Sequence, residues 1–207
     1  MNRRKGIWQE YQKPNNIIIE YPECSMFNYL KETAQKHLEC CALEFEGKKI
    51  TYGKFIEQIE NTARSLVNIG VKKGDCVSII SINTPEVVKT IYAANRIGAV
   101  VNMIHPLLSS AQIESFIKKT NSSVILILDQ IYPKIADIQW KNHKMPKIIL
   151  TRIIDSLPLY IKPAYTVINK VNISINPVHD YLYWNNFLLQ SKSKNIILPE
   201  DNGKMDD

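Results

Sequence analysis

The sequence predicts an α/β fold, a wound and mostly parallel sheet with flanking helices, and three observations carry that prediction. Gly70 to Pro106 reads as a polar turn, an apolar strand, a helix and a second apolar strand. Ser123 to Leu128 (SVILIL) is apolar throughout and rich in β-branched residues, the pattern of a strand buried on both faces. Segments between such strands place apolar residues three and four apart, as a helix covering a sheet requires. Two short strands joined by a helix lie side by side only in parallel, with a right-handed crossover.

Each element has a local reason. Residues 1–24 are polar and aromatic with little periodicity and read as an extended lead-in. Ser25 is a helix cap, followed by the stripe Met26, Phe27, Leu30, Ala34 and Leu38. Ala42 to Phe45 and Ile50 to Tyr52 form a hairpin around the turn Glu46-Gly47-Lys48-Lys49. The helix from Gly53 to Ile69 shows Phe55, Ile56, Ile59, Ala63, Leu66 and Val67 on one face, and Asn68 and Gly70 close it. A buried strand, Cys76 to Ser81, follows. Thr84 then caps a helix by accepting hydrogen bonds from its first free N–H groups, and Pro85 stands where a missing N–H costs nothing. Gly98 ends that helix, and Ala99 to Ile104 is a second buried strand. Ser109-Ser110 cap a helix carrying Ile113, Phe116 and Ile117 that stops near Asn121. After the strand at 123–128, a helix Ile131 to Trp140 and a strand Lys147 to Leu150 add one αβ step. These elements make residues 25–151 the α/β unit. From 152 to 207 the chain is read as irregular: prolines interrupt Leu157 to Tyr183, Trp184 to Leu189 is a short helix, and the ending PEDNGKMDD is a disordered tail.

Composition narrows the function classes. The 207 residues are 45% hydrophobic and 22% charged, ordinary for a globular protein. No apolar run approaches the ~18 residues of a membrane span, and the basic start MNRRKGIWQEYQK has no apolar h-region, so a cytoplasmic location is the default expectation. The net charge of +6 is spread as Lys48-Lys49, Lys72-Lys73 and Lys118-Lys119 pairs with acidic residues between them, a solvated surface and not a nucleic-acid stripe. Cys24, Cys40, Cys41 and Cys76 lack CxxC pairing, and reduced thiols are expected.

An ordered set of short motifs carries a family resemblance. Ile50-Thr51-Tyr52, a helix with Ala63, Leu66 and Gly70, Lys73-Gly74-Asp75, Asn83, Pro85-Glu86, and Gly98-Ala99-Val100 running to His105-Pro106 resemble the opening segment of adenylate-forming enzymes, the AMP-binding and acyl-CoA synthetase superfamily. Within it the chain is most similar to bacterial fatty-acyl or medium-chain acyl-CoA ligases, and Trp184 to Phe187 resembles a Trp-x-x-Phe element that precedes their phosphate loop. The resemblance implies the N-terminal part of the large domain of an enzyme that uses ATP, Mg2+ and CoA. It also implies a Ser/Thr/Gly-rich loop ending in Pro-Lys-Gly, an acidic residue for magnesium and a catalytic lysine, and none of these is present in the sequence. With seven glycines in the chain, the nearest spacing is Gly70-x-x-x-Gly74, which precedes Asp and a strand and so reads as a turn.

No catalytic, cofactor-binding or metal-binding residue is assigned from the sequence, and this chain alone is expected to bind no cofactor. His105, Asn83 and Asp129 fall at strand carboxyl ends, where open α/β sheets place ligands. Their simpler readings are a loop histidine fixed by Pro106, an Asn bonded to its own turn, and a helix cap. Glu86 is read as favouring the positive end of its helix, and His37, His143 and His179 lack metal-ligand spacing. Two functions stay open: a truncated N-terminal portion of an acyl-CoA ligase, inactive alone, or a non-catalytic α/β interaction module that binds a partner polypeptide, of which one half of a split ligase is one form. A free-standing flavodoxin-like nucleotide domain rests on fold analogy alone. The partners expected are the missing remainder of the ligase or a second copy, meeting an uncovered apolar sheet face.

Overall fold

The computed structural model describes residues 23–140, 144–169, 180–192 and 196–201. Helix α1 (Met26–Gln35) is followed by a hairpin, β1 (Cys41–Phe45) and β2 (Lys48–Thr51), and by α2 (Tyr52–Asn68). Then come β3 (Cys76–Ile80), α3 (Pro85–Arg96), β4 (Val100–Met103), α4 (Ser110–Lys119) and β5 (Val124–Leu128). A 3-10 turn (Asp129–Ile131), α5 (Pro133–Ala136), β6 (Lys147–Thr151), α6 (Ile153–Ser156), α7 (Lys162–Asn169), β7 (Tyr181–Tyr183) and α8 (Trp184–Lys192) complete it.

The main sheet has the order β4-β3-β5-β6-β7, with all four pairings parallel. Predicted and observed folds agree in the Gly70 to Pro106 unit: β3 and β4 pair in parallel with Val77 opposite Val101, and α3 bridges them. Alternation along the strands feeds two cores. Val77, Ile79, Val124, Leu126 and Ile149 join the apolar stripes of α1, α2, α3 and α8 on one face. Ile80, Ile125, Ile127, Ile148 and Leu150 join Ile113 and Ile117 of α4 and Ile135 of α5 on the other. The expectation of an uncovered apolar face is therefore corrected, because helices pack on both sides. On the sheet, large apolar side chains stay exposed at its edge strand, as Val100 and Met103.

Other corrections have local causes. The second strand of the seed unit, β4, is half-exposed and not buried, since among the described residues it pairs only with β3. The hairpin turn is tighter than expected: Glu46 and Gly47 both take positive φ (49° and 78°), and Lys48 and Lys49 belong to the strand. The helix expected from Ile131 to Trp140 is one turn, initiated at Pro133. Phe116, placed on the buried stripe of α4, is exposed, while Ile113 and Ile117 carry that stripe. The 157–183 stretch holds α7 and the fifth strand β7, too short at three residues to show an alternation of its own. Of the tail, Pro199 accepts a hydrogen bond from Arg96 (2.7 Å) and Asp201 one from Ser25 (2.6 Å), while 202–207 lie outside the described residues. The lead-in through residue 22 lies outside them too. Among the described residues no helix is long and apolar enough to cross a membrane.

Candidate functional site

Counted from β3, the strand order is 2-1-3-4-5, so successive connections turn in opposite directions on either side of the β3/β5 pair. In such sheets the loops after those two strands part and leave a crevice outside their carboxyl ends. Ile80 stands opposite Ile127, which brings Ser81 and Asp129 to the same end of the sheet, one and two residues further along. Ser81 (7% exposed) and Thr84 (2%) bury their hydroxyl oxygens without a hydrogen-bond partner among the described residues. Thr84 sits at the N-cap of α3 as expected, but its side chain makes no capping bond. An unpaired buried hydroxyl is costly, and such groups mark places where another group belongs.

Asp129 is buried, and its Oδ1 accepts a hydrogen bond from the Gln130 N–H (2.7 Å). Burial pushes its carboxyl above the ordinary aspartate value, against that hydrogen bond and the charge of Arg152. Arg152, just past β6, is gripped by Asp155 through Nε (3.0 Å) and Nη2 (2.9 Å) and lies over the Tyr183 ring at 4.9 Å. The hydrogen bonds to Asp155 raise its already high pKa, and they engage two of the three guanidinium nitrogens. His105 is exposed, with Nδ1 accepting the Leu107 N–H at 3.2 Å, a loop contact. Asn83 is exposed with no side-chain hydrogen bond among the described residues, and His37 lies in the exposed turn after α1. His143 and His179 lie outside the described residues.

A second feature opens at the same end of the sheet. A cavity of about 310 Å³ lies between β2, α2, α3, α6 and α8. Its inner wall holds Glu86 and Lys89, one turn apart on α3 and paired at 3.2 Å, both under 8% exposed. Ser156 donates a short hydrogen bond to the other Glu86 oxygen, and the Lys89 ammonium lies over the Trp184 ring at 5.3 Å. Burial works to raise the Glu86 carboxyl, but Lys89, Ser156 and its own backbone N–H together bring it below the usual range. Burial lowers the Lys89 ammonium more than Glu86 restores it, and nearby Lys48 adds to the lowering. Glu86 is therefore half of a buried pair as well as a first-turn acid. Its spacing to Lys89 was visible in the sequence; Ser156, which bonds Glu86 from 70 residues away, and Trp184, which meets Lys89 from 95 residues away, gave no signal.

The family model of AMP-binding enzymes matches residues 30–176. This chain belongs to that family. The long-chain-fatty-acid–CoA ligase of Bacillus subtilis (strain 168) is 26% identical over 204 residues, 97% of this chain and 36% of that protein. The acetyl-coenzyme A synthetase of Penicillium chrysogenum is 34% identical over 122 residues, 56% of this chain and 18% of that protein. Among solved structures, coronafacic acid ligase from Pectobacterium brasiliense superposes with a TM-score of 0.59 at 20% identity, over 86% of this chain and 31% of the ligase. An anthranilate CoA ligase in complex with anthranoyl-AMP gives 0.59 at 20% identity, over 63% and 25%. The structures establish the shared fold. The chain spans about a third or less of the length of these relatives. The AMP-binding match takes in the crevice strands, Asp129 and the Glu86–Lys89 pair, and stops before Trp184.

Proposed function

We propose that this chain is the N-terminal portion of an ATP-dependent, AMP-forming fatty-acyl or medium-chain acyl-CoA ligase, working in the cytoplasm. It supplies scaffold and one wall of the crevice, while further polypeptide supplies the groups that handle triphosphate. The observation that carries this reading is the AMP-binding match over 30–176, joined to a switch-point crevice whose own residues do not suit a nucleotide. Triphosphate needs a cradle of backbone N–H groups and a free cation. The crevice offers a buried carboxylate, Asp129, and the nearby guanidinium of Arg152 is committed to Asp155. ATP, Mg2+ and CoA therefore belong to the completed enzyme, and the 207 residues alone carry out neither adenylation nor thioester formation. ATP–pyrophosphate exchange with the purified chain and a range of fatty acids is expected to stay at the buffer level; exchange above it overturns the reading.

The alternative, one half of a split ligase, is favoured by where apolar side chains stay exposed. Ile82 follows β3, Leu107 (82% exposed) follows β4, and Leu159 (83%) and Tyr160 follow α6, all in connections leaving the carboxyl ends of the strands. Such residues suit a separately encoded remainder better than a second copy, since their connections leave the end of the sheet where the crevice opens. Coding DNA beside this gene that specifies a Ser/Thr/Gly-rich loop would identify that remainder. If none exists in the genome, the split reading fails.

A further inference from the structure

Neither the crevice nor the adenylation reading uses the Glu86–Lys89 cavity. Lys89 carries three N–H donors and is 7% exposed, and among the described residues its one hydrogen-bond acceptor is Glu86. Gln58, which also lines the cavity, buries its Oε1 without a partner among the described residues. Buried polar groups left this far from saturation call for another group in the space between them. Apolar surface is there as well, from Ile50, Pro85, Trp184 and Leu188. Charges of both signs are balanced around the space: Lys48 and Lys89 against Glu57 and Glu86. Lys48, Glu57 and Asn185 are exposed and form the mouth, so a small molecule can enter. At about 30 Å³ of liquid per water, the volume corresponds to about ten waters.

We propose that this cavity binds a small aliphatic amino acid, its carboxylate on Lys89 and Lys48, its ammonium on Glu57, and its methylenes against Trp184. The two-sign wall selects a zwitterion: a simple anion meets Glu57 and Glu86, and a simple amine meets the two lysines. A carboxylate on Lys89 satisfies its open donors by charge-assisted hydrogen bonds on the buried inner wall. The site lies apart from the β3/β5 crevice, so it stands whether or not the chain belongs to a ligase that is active when completed.

The test is calorimetric titration of the full 207-residue chain with glycine, L-alanine, 4-aminobutyrate and 6-aminohexanoate, with butyrate and butylamine as single-charge controls. At least one zwitterion is expected to bind one-to-one and to perturb Trp184 fluorescence, with both controls at least ~10-fold weaker, a gap of about 1.4 kcal/mol. Lys48→Ala and Glu57→Gln change exposed side chains, so each keeps the melting temperature while weakening binding by ~10-fold. Lys89→Met abolishes binding; should it unfold the chain, the two surface variants decide alone. Absence of saturable binding by every zwitterion up to ~10 mM, equal binding of butyrate, or unchanged affinity in both surface variants each overturns the proposal.

Discussion

At the scale of single residues, the informative positions are polar groups that folding has taken out of water. Asp129 shows the cost with a definite sign. Its carboxyl titrates higher in the folded chain than in the unfolded one, because burial disfavours the charge. Between the two values the folded state holds a proton that the unfolded state has released, so stability falls as pH rises through that window. Above the folded value the cost stays constant; below the ordinary aspartate value of about 3.9 it is absent. Asp129→Asn keeps an acceptor for the Gln130 N–H and removes the charge. It is therefore expected to raise the melting temperature at pH 7 and to leave it nearly unchanged at a pH below the ordinary aspartate value. A variant less stable than the parent at pH 7 would show that Arg152 stabilises the carboxylate by more than burial costs it.

At the scale of elements, the turns that set the sheet rest on glycines with different surroundings. Gly70 and Gly98 both take positive φ after a helix (92° and 70°). A Cβ on Gly70 meets nothing within 4 Å, whereas one on Gly98 comes within 2.9 Å of Lys73 Cγ and 3.1 Å of Cδ. Gly70→Ala bears the backbone cost alone, roughly 1 kcal/mol. Gly98→Ala adds displacement of the Lys73 stem, and urea unfolding is expected to rank it clearly below Gly70→Ala. Equal losses would mean that the lysine moves aside freely. These glycines were legible because their signal is local: an apolar stripe, then Gly, then an apolar strand. So were Ser25 and Ser109, whose hydroxyls accept from Asn28 and Gln112 N–H as capping predicts. What the sequence did not disclose is set by distant neighbours. Whether Val100 is covered depends on how many strands flank β4, and whether Phe116 is buried depends on how α4 rotates onto the sheet. The crevice residues Ser81 and Thr84 escaped for the same reason, since Ser81 reads as the last residue of a strand and Thr84 as a helix cap until their partners are counted.

At the scale of the whole molecule, stability and association separate in space. Both cores are closed by helices, while Leu107 and Leu159 stand out from the connections that leave the carboxyl ends of the strands. Leu107→Ser and Leu159→Ser remove side chains that are over four-fifths exposed, so each is expected to shift unfolding free energy by no more than about 0.5 kcal/mol. The same pair of changes is expected to weaken binding to a polypeptide carrying the rest of a ligase, measured by sedimentation or calorimetry. If binding is unaffected, these connections are not where the remainder sits.

The bond from Arg96 to Pro199 fixes a distance that any engineered fusion must respect. Arg96 ends α3, which sets out from the carboxyl end of β3 and delivers the chain to the start of β4, so Pro199 lies at the opposite end of the sheet from the crevice. A five-residue strand is about 17 Å long at about 3.3 Å per residue. A tether starting after Asp201 and aimed at the crevice mouth consequently needs at least about five extended residues of slack. Shorter joins would strand their cargo at the wrong pole.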